Sequence, residues 1–234
     1  MLILRRFADA MTLALTAADM VTTALQGAVD ARGVASVALS GGSTPQALYA
    51  QLCKAPYRNA LPWQDVRWYM GDERAVPPDD RLSNFRMLQE CLFDTAGLPV
   101  SRLRRIEAEH GRAAAPAYER VLRQELKDGM LDVALLGLGA DGHTAGIFPG
   151  TPWSDAATDW VVSGERPDAA KLAISLSVPM LRSARLRLML VAGEEKQTAL
   201  RRLLQGANLP SRAAMEGAGM AVVLADEAAC RMLP

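Results

Sequence analysis

Residues 131–150 read LDVALLGLGADGHTAGIFPG, an apolar run followed by a turn rich in glycine. Short apolar runs that end at glycines are typical of buried strands in parallel sheets, whose two faces are both covered by other elements. We therefore predict a strand over Leu131 to Leu136 and a loop at its carboxyl end. In sheets of this kind, ligands bind beyond the carboxyl ends of the strands.

The glycines at 137, 139 and 142 match the G-x-G-x-x-G pattern of dinucleotide-binding proteins. That site requires a long helix after the glycines and an acidic residue about 20 positions later, at the end of the next strand. Phe148-Pro149-Gly150 interrupts the chain soon after Gly142, and Val161-Val162-Ser163 stands where the acidic residue is needed. The pattern therefore does not predict a nucleotide site, and no cofactor is expected.

Apolar runs and helical patterns alternate along the rest of the chain. Apolar residues recur at helical spacing between Leu13 and Ala28, and again between Pro116 and Leu126. The other predicted strands are Ala35 to Ser40, Val66 to Met70, Leu172 to Leu176, Leu186 to Val191 and Met220 to Leu224. This alternation predicts an α/β fold, a Rossmann-like, mainly parallel sheet with helices on both faces. No linker divides the chain, so we predict a single domain over residues 1–234.

Composition restricts the class of ligand. Lys plus Arg and Asp plus Glu each number 26, so no overall field attracts nucleic acid or anionic membranes. No apolar run approaches the roughly 20 residues of a membrane helix. The start, MLILRRFADA, lacks the order of a secretory signal, so a cytoplasmic protein is expected. Cys53, Cys91 and Cys230 are far apart, which predicts buried thiols rather than disulfides or a thiolate metal site.

A second glycine turn, SGGST at 40–44, lies between a predicted strand and the helical pattern that begins with Pro45. Proline suits the first turn of a helix, and Ser or Thr caps it. Backbone N–H groups at such a helix start point outward at the positive end of the helix dipole. The residues that become candidates to bind a phosphate are Gly41, Gly42, Ser43 and Thr44. The pattern also fits an ordinary capped turn between a strand and a helix.

Charged residues follow the predicted strand Val66 to Met70, in the stretch GDERAVP that begins at Gly71. An arginine at the carboxyl end of a strand can bind a phosphate through two parallel hydrogen bonds, which makes Asp72 and Arg74 candidate ligand-binding residues. After a polar loop, Asn84 can return to the same edge of the sheet. The alternative is a solvated strand end with a local ion pair.

Asp141 and His143 lie two residues apart on the turn that follows LDVALL. An imidazole beside a carboxylate is held in one tautomer and can exchange a proton near neutral pH, so this pair is the candidate for acid–base chemistry. A structural histidine without a catalytic role is the alternative. The other histidine, His110, lies in the polar run EAEHGR and is expected at the surface.

A third glycine turn, GEEK at 193–196, follows the apolar run LRLMLV. Lys196 is therefore a candidate second cation for a bound anion, with a solvated lysine at a helix start as the alternative. Several arginines are scattered among acidic and apolar residues and are expected on solvated faces: Arg102, Arg104, Arg105, Arg185, Arg187, Arg201 and Arg202. No basic stripe with interleaved aromatic residues indicates nucleic acid.

The stretches SGGSTP, GDERAVP, SNF, GLGADGHTAGIFPG and GEEK together resemble the glucosamine-6-phosphate isomerase/6-phosphogluconolactonase family, and within it the 6-phosphogluconolactonases. Their order and spacing span most of the chain, and the combination is specific although no single motif is. The resemblance implies a Rossmann-like sheet of the glucosamine-6-phosphate deaminase type, without a nucleotide. It also implies hydrolysis of 6-phosphoglucono-δ-lactone in the oxidative pentose phosphate pathway. A small sugar phosphate is the implied partner, and a monomer or weak homo-oligomer is expected.

By this resemblance, the substrate phosphate rests on residues 41–44. Arg74 and Lys196 are implied to lie near the phosphate, with Asp72 and Asn84 in the same pocket. No metal is implied, and two histidines far apart in the sequence, without a thiolate cluster, offer few ligands for one.

The resemblance assigns the chemistry to the turn that carries Asp141 and His143. His143 is implied as the general base that takes a proton from water and returns it to the ring oxygen of the lactone. Asp141 is implied to orient the imidazole and to stabilise its cation. Backbone N–H groups near Gly139 or Gly142 are candidates to stabilise negative charge on the carbonyl oxygen.

Three alternatives differ from this hypothesis at identifiable residues. A glucosamine-6-phosphate deaminase resembles the same motifs but has an acidic residue after the histidine, where this chain has Ile147-Phe148-Pro149-Gly150. A non-catalytic sugar-phosphate sensor would keep the phosphate-binding residues without needing the pair Asp141 and His143. A serine hydrolase would need a G-x-S-x-G turn, which the sequence lacks.

Overall fold

The structure is a computed structural model that describes residues 2–151, 158–167 and 172–233. Its strands are β1 (Leu2–Phe7), β2 (Ala35–Leu39), β3 (Val66–Met70), β4 (Asp72–Arg74), β5 (Leu103–Arg104), β6 (Val133–Gly137), β7 (Val161–Glu165), β8 (Leu172–Leu176), β9 (Leu186–Val191) and β10 (Met220–Asp226). Its α-helices are α1 (Ala10–Arg32), α2 (Ser43–Leu52), α3 (Tyr57–Ala60), α4 (Asn84–Leu88), α5 (Asp94–Ala96), α6 (Ala114–Glu125), α7 (Val178–Arg182), α8 (Gln197–Leu204), α9 (Pro210–Ala214) and α10 (Glu227–Cys230).

Seven strands form one parallel sheet in the order β1-β10-β9-β6-β2-β3-β5. Strands β2 and β9 are buried at every position, which requires cover on both faces of the sheet. Helix α1 packs along β2, β6, β9 and β10. The predicted fold class, an α/β fold with a mainly parallel sheet and helices on both faces, is confirmed.

A second, antiparallel sheet joins β4, β8 and β7. The predicted strand over residues 172–176 forms, but it pairs with β4 rather than with the parallel sheet. Gly71 separates β3 from β4, and the N–H group of Leu176 donates to the carbonyl of Gly71 at 2.8 Å. The small sheet therefore begins where β3 ends, at the carboxyl edge of the parallel sheet.

Local signals explain the long first helix. The side chain of Asp9 accepts a hydrogen bond from the N–H group of Thr12 at 2.7 Å, which caps the helix start, and Gly33 ends the helix with φ 73°. Apolar residues at helical spacing, such as Leu13 and Val21, are buried against the sheet. The helix predicted within residues 13–28 is confirmed and extends beyond both ends of that pattern.

One predicted surface residue is buried instead. Arg187 is fully buried on β9, so the expectation of a solvated face is wrong for this arginine. Its guanidinium donates to the carbonyls of Arg182 (2.7 Å), Ala184 (3.0 Å) and Gly219 (2.7 Å), at the end of the sheet opposite the glycine turns. An arginine has five N–H groups and can therefore bond several inward-pointing carbonyls at once. One of these carbonyls, that of Gly219, belongs to a loop that is distant from Arg187 in the sequence.

The predictions for thiols and for the second histidine agree with the structure. Cys53 and Cys230 are buried, Cys91 is half-buried, and none of the three forms a disulfide. Burial raises the pKa of each thiol, that of Cys91 to about 11, which disfavours the reactive thiolate. The side chain of His110 is 63% exposed, as expected for a surface residue.

Candidate active site

The three glycine turns meet beyond the carboxyl ends of β2, β6 and β9 and line one cavity of about 190 Å³. Every predicted site residue lines this cavity except Asp141, which contacts the ring of His143. Two charged residues that the sequence did not single out, Arg166 and Glu195, also line it. A single small molecule can therefore contact the predicted phosphate-binding turn and the imidazole at the same time.

The turn at residues 40–44 leaves a helix start open to an anion. Gly42 precedes α2 with φ 98°, and no side chain caps the helix, so the prediction of a Ser or Thr cap is wrong. Ser43 and Thr44 are instead the first helical residues, and their N–H groups make no hydrogen bond within the described part of the chain. The hydroxyl of Tyr49 bonds both the N–H (3.0 Å) and the carbonyl (2.7 Å) of Ser40, which holds the turn in place.

Gly41 is required by a side chain from another element. A Cβ atom at Gly41 would lie 2.0 Å from Oδ1 of Asn84, so only glycine leaves room for this amide. Asn84 is buried, donates from Nδ2 to the carbonyl of Asp72 at 2.9 Å, and accepts at Oδ1 from Nη1 of Arg74. The predicted site residues Asp72, Arg74 and Asn84 are thus connected to one another, and Asn84 packs against the turn at residues 40–44.

Glu73 connects the end of β4 to the turn at residues 83–85 through hydrogen bonds. Its carboxylate accepts hydrogen bonds from the backbone N–H groups of Arg74 (2.8 Å), Asn84 (2.7 Å) and Phe85 (2.8 Å), and from the hydroxyl of Ser83 (2.9 Å). Asp72 and Glu73 are 5% and 2% exposed, so the alternative of a solvated strand end is wrong. The sequence analysis missed this role because most of the donors lie across a loop from Glu73. The available signal was an acidic residue shortly before the Ser83-Asn84 turn.

Replacing Glu73 with glutamine is expected to lower the free energy of unfolding by about 1–3 kcal/mol, because the amide leaves buried donors of the 83–85 turn unpaired. Urea unfolding monitored by circular dichroism measures the change. Glu90→Gln is the matched control, since Glu90 forms only an exposed i,i+4 ion pair with Arg86 and should contribute little. Equal stability of the two variants would show that Glu73 does not hold the turn.

The pH dependence of stability gives a second test of Glu73. Burial raises the pKa of this carboxyl above its ordinary value of 4.5, and the hydrogen bonds it accepts offset only part of that rise. Between pH 4.5 and the raised pKa, the folded protein binds more protons than the unfolded chain, so its stability falls as the pH rises. Because glutamine does not titrate, the stability difference between wild type and Glu73→Gln should narrow across that window. A constant difference would contradict the raised pKa.

Two cations of the predicted site are held at the cavity wall. Nη1 of Arg74 also donates to the carbonyl of Leu82 at 2.9 Å, and its other guanidinium nitrogens make no hydrogen bond within the described residues. Nζ of Lys196 lies 3.8 Å from the carboxylate of Glu195, and its side chain is 24% exposed. Lys196 is therefore not a freely solvated lysine. Glu195 brings a negative charge to the same wall, close to this ammonium group.

Asp141 and His143 form a direct pair on the turn that follows β6. Nδ1 of His143 lies 2.6 Å from Oδ1 of Asp141, which also accepts from the backbone N–H of His143 at 3.0 Å. Partial burial would raise the pKa of Asp141, but the N–H group and the ring of His143 outweigh it and lower the pKa. An ionised Asp141 places the proton on Nδ1, which leaves the Nε2 lone pair of His143 to accept a proton.

Phe148 and Arg166 extend this arrangement along the cavity. The ring of Phe148 packs against the imidazole of His143, with 4.5 Å between ring centroids. The guanidinium of Arg166 lies over the ring of Phe148, 4.9 Å from its centroid. The imidazole is thus fixed on one side by a carboxylate and on another by an aromatic ring.

Replacing Gly139 with alanine is expected to lower kcat by about 10- to 100-fold, because its Cβ would lie 2.0 Å from Nδ1 of His143 and 2.6 Å from Oδ1 of Asp141. Steady-state kinetics of lactone hydrolysis, the activity that the resemblance implies, measure this effect. Gly27→Ala is the matched control, since a Cβ on this helical glycine meets no atom within 4 Å. Unchanged kcat in Gly139→Ala would mean that the pair does not need its present geometry.

The oxyanion donors suggested by the sequence are already in use. The N–H group of Gly139 donates to the carbonyl of His143 at 2.8 Å, and that of Gly142 donates to the carbonyl of Gly139 at 2.9 Å. Both bonds close the turn that carries the imidazole. These two N–H groups are therefore not available to a ligand without opening the turn, and the prediction of an oxyanion donor near Gly139 or Gly142 is left to neighbouring N–H groups.

The chain is similar to proteins of a known family. Residues 8–223 match the family model for glucosamine-6-phosphate isomerases/6-phosphogluconolactonase, and the chain belongs to that family. It is 34% identical over 203 residues to a 6-phosphogluconolactonase from Haemophilus influenzae, covering 84% of this chain and 87% of that protein. The crystal structure of a 6-phosphogluconolactonase from Shewanella baltica is 28% identical, with a TM-score of 0.82 over 96% of this chain and 98% of that one.

A monomeric glucosamine-6-phosphate deaminase has the same fold. It is 23% identical and superimposes with a TM-score of 0.81 over 98% of this chain and 99% of its own. The predicted sheet of the glucosamine-6-phosphate deaminase type is therefore confirmed. No helix in the described part of the chain is long and apolar enough to span a membrane. Among the same residues, no three His, Cys, Asp or Glu side chains are grouped to hold a metal ion.

Proposed function

We propose that this protein hydrolyses 6-phosphoglucono-δ-lactone to 6-phosphogluconate, the lactonase step of the oxidative pentose phosphate pathway. The observation that carries the proposal is the cavity that holds both an open helix start and the imidazole of a carboxylate–histidine pair. The names of the relatives support the same activity. A sugar phosphate has its reactive carbon at one end and its phosphate at the other, which matches a cavity with two functional ends.

The phosphate is proposed to bind at the turn at residues 40–44. The N–H groups of Ser43 and Thr44 lie at the positive end of the α2 dipole, and the glycines before them leave room for phosphate oxygens. Arg74 supplies a guanidinium that is already oriented by Asn84, so little side-chain freedom is lost on binding. Lys196 adds a second positive charge from the turn at residues 193–196, and Asp72 lines the same cavity.

His143, which lines the same cavity, is proposed to activate water. Nε2 of His143 takes a proton from a water molecule as its oxygen bonds to C1 of the lactone. Asp141 stabilises the resulting imidazolium through Nδ1–H. As the bond between C1 and the ring oxygen breaks, the imidazolium returns the proton to that oxygen, which becomes the C5 hydroxyl. The carboxylic acid then loses its proton to solvent.

The assay that tests this proposal follows opening of the lactone above its spontaneous rate, in parallel with ammonia release from glucosamine 6-phosphate. We expect faster lactone opening and no ammonia, because residues 144–150 contain no carboxylate to assist deamination. Ammonia release without lactone opening would assign the chain to the deaminase activity instead. Binding of sugar phosphate without turnover of either compound would support a sensor.

Location, assembly and domain organisation stay predictions. The sequence predicts a cytoplasmic protein of one domain that is monomeric or weakly self-associating. The absence of nucleic acid as a partner likewise stays a prediction, based on equal numbers of acidic and basic residues.

A further inference from the structure

The turn that follows His143 contains a strained alanine. Thr144 and Ile147 exchange two backbone hydrogen bonds, N–H of Thr144 to carbonyl of Ile147 (3.3 Å) and N–H of Ile147 to carbonyl of Thr144 (2.9 Å). Between them, Ala145 has φ 48°, the only positive φ of a non-glycine residue in the described chain. This conformation is unfavourable for an L-residue with a Cβ, and backbone strain of this kind persists where surrounding contacts enforce it.

Surrounding contacts do enforce this turn. The N–H group of Gly146 donates to Oγ of Ser175 on β8 at 3.1 Å, and Oγ1 of Thr144 donates to the carbonyl of Gly137 at 2.8 Å. A Cβ at Gly146 would lie 2.9 Å from the Cβ of Ala173, so the backbone here is pressed against the small sheet. The turn is thus anchored to both sheets and does not depend on a ligand for its shape.

The N–H group of Ala145 is left unused by the fold near the imidazole, and it belongs to a residue of the cavity wall. Other backbone N–H groups of this loop donate within the described structure, namely those of Gly139, Gly142, His143, Thr144, Gly146 and Ile147. The N–H of Ala145 makes no hydrogen bond to the described residues, and Ala145 lines the cavity. In the trans peptide that joins Thr144 to Ala145, the carbonyl points to Ile147, so the N–H points the opposite way, out of the turn.

We propose that the backbone N–H of Ala145 donates to the carbonyl oxygen of the lactone and stabilises the oxyanion that forms as water attacks C1. This inference rests on the proposed function. The donor lies two residues from His143 on the same anchored turn, so base and donor keep a fixed separation. A donor that is already oriented costs no reorganisation when charge develops, which makes such groups effective in the transition state.

The direct test removes the N–H group and keeps the side chain. Replacing Ala145 with lactic acid, which converts the amide to an ester, should lower kcat for lactone hydrolysis about a hundredfold with little change in KM. The same replacement at Ala140 is the matched control, because Ala140 is an exposed alanine of the same loop that does not line the cavity. A loss of kcat no greater at residue 145 than at 140 would overturn the inference.

A second measurement keeps the inference testable if the ester protein folds poorly. In wild-type protein, 6-phosphogluconate carries a charged C1 carboxylate, so its binding should shift the NMR resonance of the Ala145 amide proton downfield and leave that of Ala140 in place. An unmoved Ala145 resonance in protein that binds 6-phosphogluconate would overturn the inference. Wild-type protein that fails to accelerate lactone opening would instead overturn the proposed function, and the proposed role of Ala145 with it. Active wild type with an unimpaired ester variant would overturn only the role of Ala145.

Discussion

Replacing His143 with alanine is expected to lower kcat for lactone hydrolysis by about 10²- to 10⁴-fold, which corresponds to about 3–5 kcal/mol of activation free energy. The imidazole acts only as the reaction proceeds, so KM should change little. The side chain is about one-third exposed and its ring contacts are few, so the variant should fold normally. Stopped-flow or pH-stat assays, corrected for spontaneous opening of the lactone, measure the effect.

The chain provides its own control for this variant. His110 is the only other histidine, and its exposed ring pairs at 3.6 Å with Glu107 on the surface. His110→Ala should therefore retain wild-type kcat and KM. If His143→Ala kept full turnover, another group would have to activate the water, and the proposed mechanism would be wrong.

Replacing Arg74 with alanine is expected to raise KM by about 10²- to 10³-fold while kcat falls much less. The phosphate does not react, so its interactions are nearly the same in the ground state and the transition state. A lost pair of charge-assisted hydrogen bonds to phosphate accounts for an effect of this size. Asn84 remains anchored to Asp72 and Glu73 without Arg74, so the wall of the cavity should persist.

Two further variants sharpen this result. Arg74→Lys keeps the charge but loses the planar guanidinium, and its KM should lie between those of wild type and Arg74→Ala. Arg201→Ala removes an exposed arginine of α8 and should leave KM unchanged. A loss of kcat in Arg74→Ala with KM unchanged would move Arg74 from phosphate binding to the chemical step.

The sequence predicts the parallel sheet well, because strands covered on both faces are almost continuously apolar. Val66–Met70 and Leu186–Val191 form with the predicted bounds, and Val133–Gly137 is displaced by only a residue or two. The edge strand Leu2–Phe7 was missed because it is only half-buried and contains two exposed arginines, Arg5 and Arg6. Asp72–Arg74 was missed because its three charged residues become a strand only by pairing with β8, which is distant in sequence.

The site was predictable where one motif carries its own geometry, as in the two-residue spacing of Asp141 and His143. It was not predictable where the cause lies in another element. Glu73 holds residues 83–85, and Gly41 makes room for Asn84, so neither role can be read within its own motif. The sequence also could not show that the N–H groups of Gly139 and Gly142 are already in use, since this depends on how the turn closes on itself.

The central claim is that one cavity binds the phosphate at the start of α2 while His143 faces the reacting carbon. A crystal structure with bound 6-phosphogluconate tests it most directly. We expect phosphate oxygens within about 3 Å of the N–H groups of Ser43 and Thr44, and the C1 carboxylate within hydrogen-bond reach of Nε2 of His143. A product bound with its phosphate beside His143, or outside this cavity, would contradict the account.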